Sequence, residues 1–204
     1  MAIKSRFFLG LFFLLFIISC GAEDKKVLIV QEDHFEGSLL LDEAQKVRIN
    51  EWVGNPSQTW NLVYRLSEHG ASSSEFHARS DGQGQSVVLV KMDNGVLIGG
   101  YNSLSWNSDG AYFGNAESFL FSLTNDFKHE HTGDAYYLYG HVNYGPTFGG
   151  GHDLYINNTM GTGYCNIGYS YIARVGTYGS AEARNDFCGS YNSWTIQEME
   201  VWVK

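Results

Sequence analysis

The chain has 204 residues, with 22 acidic against 13 basic side chains for a net charge of −9, 24 glycines, 15% aromatics and only two prolines. An acidic surface repels phosphate backbones and anionic headgroups, which argues against a nucleic-acid partner. The abundance of glycine and aromatics suits many short strands joined by turns, and argues against a helical bundle or a disordered tail.

Residues 1–19 have the order of an export signal. Lys4 and Arg6 give a basic start, Phe7 to Ile18 is an uncharged apolar run of 12 residues, and small Ser19 precedes Cys20. A spanning helix needs about 20 apolar residues, so the run is too short to anchor the chain. Ile17-Ile18-Ser19-Cys20 resembles a bacterial lipoprotein box, which implies cleavage before Cys20 and a lipid on its sulfur. One acyl chain holds a protein marginally and several hold it stably. The expected location is therefore a cell envelope, on the outer membrane where two membranes exist, since no Asp follows Cys20. Loss of Lys4 and Arg6 from the 13 basic residues leaves 11 against 22, a mature charge of −11. Lipidation would also leave Cys165 and Cys188 as the remaining cysteines, able to pair in an oxidising compartment. No Cys-x-x-Cys spacing suggests redox activity.

Residues 20–37 read as a tether, with one short strand around Val27–Val30, and residues 38–204 as one domain. Leu39–Val53 carries apolar Leu40, Ala44, Val47 and Val53 near a 3.6 period and stops at Gly54-Asn55-Pro56, which predicts a helix. Trp60–Leu66 has a strand composition. Ser72-x-x-Glu75 is a capping-box pattern, opening a second helix to about Arg79, and Asp81–Gly84 is a turn. Ser86–Met92 and Val96–Tyr101 flank Asp93-Asn94-Gly95, predicting a hairpin whose Asn94 and Gly95 both accept positive φ. Further strands are expected at Ser118–Leu123, Ala135–Gly140, Asp153–Ile156 and Thr195–Val203. In the last, Trp194 and Ile196 share one parity and Met199, Val201 and Val203 the other, which predicts a β-bulge near Gln197-Glu198.

Several segments together are similar to the TLDc domain family, the module of oxidation-resistance-type proteins. They are Leu62–Arg65, Ser74–Gly82, Val96–Tyr101, Ser105-Trp106, Ser118–Leu123, Tyr144–Tyr155 and Trp194–Trp202, in the family's order, with the preceding helix also fitting. The resemblance implies a mainly β fold, a two-sheet antiparallel β-sandwich with a few short peripheral helices. It implies no settled catalytic machinery. In eukaryotes the family is linked to protection from oxidative damage and to binding the proton-pumping vacuolar ATPase, and fold alone does not carry such roles between compartments.

Gly149-Gly150-Gly151 lacks the Gly-Lys-Ser/Thr of a phosphate loop and reads as close backbone approach at a strand entry. No pattern points to a cofactor. His129-x-His131, in a loop beside Asp126 and Glu130, is a weak metal candidate without a fixed third ligand. His77 with Asp81, and His152 with Asp153, are candidate acid–base pairs, although no nucleophile motif accompanies them. Glu198 and Glu200 read as polar-face positions able to pair with Arg65 or Arg184. Trp106, Tyr112, Phe113, Tyr144 and Tyr191 lie near glycine-rich loops and either fill the core or line a groove for a partner. The leading expectation is a non-catalytic, lipid-anchored domain that binds an envelope protein or surface glycan or aids stress protection. The alternative is an enzyme: a metal-assisted hydrolase using the His129/His131 or His152/Asp153 region, or a peroxide consumer.

Overall fold

The computed structural model describes residues 33–204. The basic start, the apolar run, Cys20 and the Val27–Val30 strand lie outside the described residues. Among the described residues no helix is long and apolar enough to cross a membrane.

The first helix, α1 (Glu43–Val53), starts later than the apolar period suggests. Asp42 caps it, accepting from the Gln45 N–H while the Gln45 side chain accepts from the Asp42 N–H, and Gly54 ends it. That reciprocal cap satisfies two free helix-end donors and fixes the boundary. Strand β1 (Asn61–Arg65) leads directly into a single turn, α2 (Leu66–His69). Ser72 then caps α3 (Ser73–Ser80), as the capping pattern predicts. Next come β2 (Ser86–Met92), β3 (Leu97–Asn102), β4 (Asp109–Phe113), β5 (Phe119–Ser122), β6 (Phe127–His129) and β7 (Leu138–His141). The remainder is β8 (Thr147–Phe148), β9 (Leu154–Ile156), β10 (Thr162–Tyr164), α4 (Ala181–Cys188) and β11 (Trp194–Val203).

All strand pairs are antiparallel and form one hydrogen-bonded path, β4-β7-β8-β9-β10-β11-β2-β3-β5-β6, with β1 also on β11. β11 belongs to both layers of the sandwich. Its start pairs with β10 and its longer remainder with β2 and β1. The register slips between Ile196 and Glu198, where the bulge is predicted. Its effect is to keep Trp194, Ile196, Met199 and Val201 all in one core, although their parity changes.

That core lies between the layers: Val88, Val90, Ile98 and Leu120 from β2, β3 and β5 meet Leu138, Phe148, Leu154 and Ile156 from β7, β8 and β9. The opposite face of the β2-β3-β5 layer carries Val87, Leu89, Tyr101, Phe119 and Phe121 in a second core with Ile49 of α1 and Trp202. Both faces of β2 are therefore covered, which is why it reads as a continuous apolar run. Phe35 is fully buried in that second core, its ring 5.8 Å from Trp60 and 5.4 Å from Trp202. The folded body thus begins ahead of residue 38, and residues 33–37 belong to it.

The β2–β3 hairpin forms with a different turn from the one expected. The Gly95 N–H donates to Met92 O and the Met92 N–H to Val96 O. Gly95 alone takes positive φ (88°), and Asn94 does not. This is a three-residue loop in which glycine occupies the left-handed bulge position.

Candidate functional site

His77 and Asp81 do meet. They lie one turn apart at the end of α3, with His77 Nδ1 2.8 Å from Asp81 Oδ1. The ring is otherwise committed, since Nε2 faces the carbonyls of His141 and Tyr144, each at 3.0 Å. Asp81 also accepts from the Ser108 hydroxyl at 2.7 Å. Both ring nitrogens face internal acceptors, so the pair fastens α3 to the 141–144 loop and presents no free nitrogen to a substrate.

His152 and Asp153 do not form a pair. His152, in the left-handed region at φ 54°, points Nδ1 at the Tyr164 hydroxyl, and burial lowers its pKa. Asp153 is fully buried on the other side. Its carboxylate accepts from the backbone N–H groups of Gly168, Tyr169, Ser170 and Tyr171 at 2.9 to 3.3 Å. Burial pushes this carboxyl up to about 6, while the four N–H groups pull the other way. Gly149, at φ 82°, closes over it, and a Cβ there would stand 2.0 Å from Asp153 Oδ2. The triple glycine is thus the close approach that its sequence suggests.

His129 and His131 are not in a polar loop. Phe127–His129 is strand β6, and both imidazole rings turn inward. The His129 Nδ1–H donates to Ile172 O at 2.8 Å, the ring lies 4.8 Å from Phe187, and burial lowers its pKa to about 4. His131 accepts at Nδ1 from the Gly133 N–H, and its ring lies 4.1 Å from that of Tyr137. Nε2 of His131 is 3.2 Å from Asp134 without hydrogen-bond alignment. Among the described residues no group of three His, Cys, Asp or Glu side chains converges to hold a metal. These two histidines are core residues.

Cys165 and Cys188 are joined, linking the end of β10 to the last turn of α4 across a sequence separation of 23. Arg65 and Glu200 form the expected pair, but in the interior. Glu200 is fully buried and accepts from Arg65 Nε and Nη2, the Leu39 N–H, the Ser38 hydroxyl and Trp202 Nε1. Glu198 instead accepts from the Ser67 and Met199 N–H groups at the bulge, and Arg184 donates to Tyr191 O.

The aromatic set divides. Trp106 is core, packed on Phe76 and Phe148, and Phe113 lies against it. Tyr112 and Tyr144 are on the outer face of the β4-β7-β8-β9-β10 layer, where three further tyrosines join them. Tyr139 is the direct cross-strand partner of Tyr112, and Tyr164 that of Tyr155. Tyr144 bridges the two pairs over short β8. Successive ring centroids along Tyr112, Tyr139, Tyr144, Tyr155 and Tyr164 are 5.0, 5.8, 5.0 and 4.9 Å apart. The Tyr112 hydroxyl donates to Gly150 O and the Tyr139 hydroxyl to Gly110 O, which fixes those rings. Partial burial raises the pKa of Tyr112, Tyr155 and Tyr164, keeping their hydroxyls as donors. The signal for the missed members is a period of two: Leu138-Tyr139-Gly140, Leu154-Tyr155-Ile156 and Gly163-Tyr164-Cys165 each place a tyrosine between inward residues.

The TLDc domain model matches residues 34–203. The chain belongs to the TLDc domain family. Its relatives include MTOR-associated protein MEAK7 of Gallus gallus, 28% identical over 71% of this chain and 31% of that protein. Nuclear receptor coactivator 7 of Homo sapiens is 26% identical over 89% of this chain and 18% of its own length. Oxidation resistance protein 1 of Bos taurus is 26% identical over 74% and 16%. The aligned stretch thus spans less than a third of each relative, so the shared unit is the TLDc domain. The match begins at residue 34, beside the buried Phe35.

Proposed function

We propose that this TLDc chain is a non-catalytic envelope domain, held at a membrane surface by a lipid on Cys20. It binds an envelope protein or surface glycan, or aids resistance to oxidative damage. The observation that carries the non-catalytic part is that His77, Asp81 and Asp153 are committed internally, while His152 turns away from Asp153 toward the Tyr164 hydroxyl. His77 lies between Asp81 and two carbonyls, and Asp153 is held by four backbone N–H groups. The relatives' family and the name of oxidation resistance protein 1 support the protective role. The sequence order around Cys20 supports the anchor, and the outward tyrosines of β4, β7, β9 and β10 offer a contact surface.

Labelled palmitate incorporation should follow the wild-type chain and disappear in Cys20→Ala. Unlabelled wild type would remove the anchor from this reading. Purified full-length chain should leave hydrogen peroxide unconsumed, and steady consumption would replace the binding reading with an enzymatic one. If that consumption survived replacement of both Cys165 and Cys188, thiol chemistry would be excluded as its source.

A further inference from the structure

We infer that Tyr164, hydrogen-bonded to His152, is a one-electron redox site at which oxidation of the outward tyrosine row comes to rest. This goes beyond the reading above and rests on neither the anchor nor a bound partner. The rings of the row pack on one another, and that packing is the basis of the site. Starting from Tyr136 and Tyr112, both exposed, the row continues through Tyr139, Tyr144, Tyr155 and Tyr164. Successive centroids are 4.8, 5.0, 5.8, 5.0 and 4.9 Å apart. Two histidines are packed into it. His141 lies against Tyr139 and Tyr144, and His152 is stacked on Tyr155 at 5.1 Å. Aromatic pairs at these distances are in contact, so their π orbitals overlap and an electron vacancy can pass from ring to ring.

What sets Tyr164 apart is its proton acceptor. A phenol that loses an electron becomes a strong acid, so it is oxidised most easily where a base already holds its hydrogen. The Tyr112 and Tyr139 hydroxyls donate to the carbonyls of Gly150 and Gly110, which are too weakly basic to take a proton. Among the described residues, Tyr164 is the one ring of the row whose hydroxyl meets an imidazole nitrogen, Nδ1 of His152. Burial raises the pKa of Tyr164 and lowers that of His152, so near neutral pH the phenol donates and the uncharged ring accepts. Nε2 of His152 has no partner among the described residues and is not enclosed, which leaves a way for a proton to reach water. The oxidant is a one-electron acceptor, an oxyl radical or a high-potential metal complex. It gains one electron from the row. The O–H bond of Tyr164 breaks, its proton forms an N–H bond at His152 Nδ1, and a neutral phenoxyl radical remains beside an imidazolium. His152 then releases the proton on Nε2 to water.

The test is electron paramagnetic resonance of the full chain, frozen at stepped times after a light flash with ruthenium tris-bipyridine and persulfate. The flash generates the ruthenium(III) complex, a one-electron oxidant. A long-lived neutral tyrosyl radical is expected in wild type. Its lifetime should fall at least about tenfold in Tyr164→Phe and in His152→Asn, the latter because the base that takes the proton is gone. It should be unchanged in Tyr191→Phe, which is exposed but off the row. Tyr144→Leu, which interrupts the row, should lower the radical yield without shortening its lifetime. Asparagine tolerates the left-handed backbone of His152. Melting midpoints establish that the variants are folded, and His152→Gly, free of any backbone strain there, carries the test if the asparagine variant is not. Absence of a long-lived radical in wild type, or a wild-type lifetime in Tyr164→Phe or in the folded His152 variant, would overturn the inference. A wild-type yield in Tyr144→Leu would overturn the row as the route to Tyr164.

Discussion

Replacing Glu200 by alanine is predicted to destabilise the domain by about 4 kcal/mol. Glu200 is fully buried, and its two oxygens take five donors. Truncation leaves the Arg65 guanidinium buried, with only Glu68 and the Gly37 carbonyl as partners. Breaking a buried pair by removing one member costs about 3–5 kcal/mol. The stranded Trp202 Nε1–H and Leu39 N–H add about 1–3 kcal/mol each where water does not reach them. Water entering the gap left by the side chain offsets part of this, which sets the figure near the middle of the pair range. Urea titration would read it as a lower midpoint at unchanged slope, and a thermal melt as a fall of about 10 °C. Replacing both members by apolar residues, Arg65→Met with Glu200→Leu, should cost far less than Glu200→Ala alone, because no charge is then left unpaired. Two results would refute the reasoning: a cost under about 1 kcal/mol for Glu200→Ala, or a double variant worse than the single one.

Replacing both Cys165 and Cys188 by alanine should cost about 3 kcal/mol from the loop they close, and reductant should lower the wild-type denaturation midpoint by a similar amount. The contribution of His129 to stability should fall on acidification from about pH 6.5 to about pH 4. The folded chain keeps His129 neutral down to about 4 while the unfolded chain takes up a proton near 6.5, so the contribution is complete above 6.5 and is lost below it. The span corresponds to roughly 3 kcal/mol, and His129→Phe should flatten that part of the curve in urea titrations at stepped pH. Asp153, raised to about 6, acts in the opposite sense, losing stability as pH rises from 3.8 to 6, so the His129 effect is read as wild type minus variant. Asp153→Ala should cost at least about 4 kcal/mol by stranding four backbone donors, with hydrogen exchange accelerating first at residues 168–171.

What the sequence discloses follows from how local each signal is. The Ser72 cap, the β2–β3 hairpin and the bulge in β11 each leave a pattern within a few neighbouring residues, and each is found. The end of α1 is legible from Gly54, whereas its start is not, because the apolar period runs past Asp42 and only the reciprocal cap marks the true boundary. Strands β4, β6, β8 and β10 escape notice because they are short, and β4 is an exposed edge with little burial to create an alternating pattern. Helix α4 is mostly polar and buries little beyond Ala183, Phe187 and Cys188, so it too carries a faint period. The histidines mislead for a related reason. Proximity in sequence suggests that His152 acts with Asp153, yet a strand entry sends adjacent side chains to opposite sides. His129 and His131 look solvated among Asp126 and Glu130, yet alternation buries both rings. The tyrosine row runs from Tyr112 to Tyr164, so no local window contains all of it.

The double membership of β11 has a consequence for how the domain comes into being. A ribosome delivers Trp194–Val203 after every other described strand, yet among the described residues this segment is the only link between the β2-β3 and β9-β10 ladders. Until it emerges, the two groups of strands can form local pairs but share no common ladder, and Glu200 is not yet there to receive Arg65. Assembly therefore waits on contacts between distant parts of the chain, the kind that slow folding most. A nascent chain halted before Trp194 would hold the Val88, Ile98 and Phe148 side chains without the strand that closes their shared core.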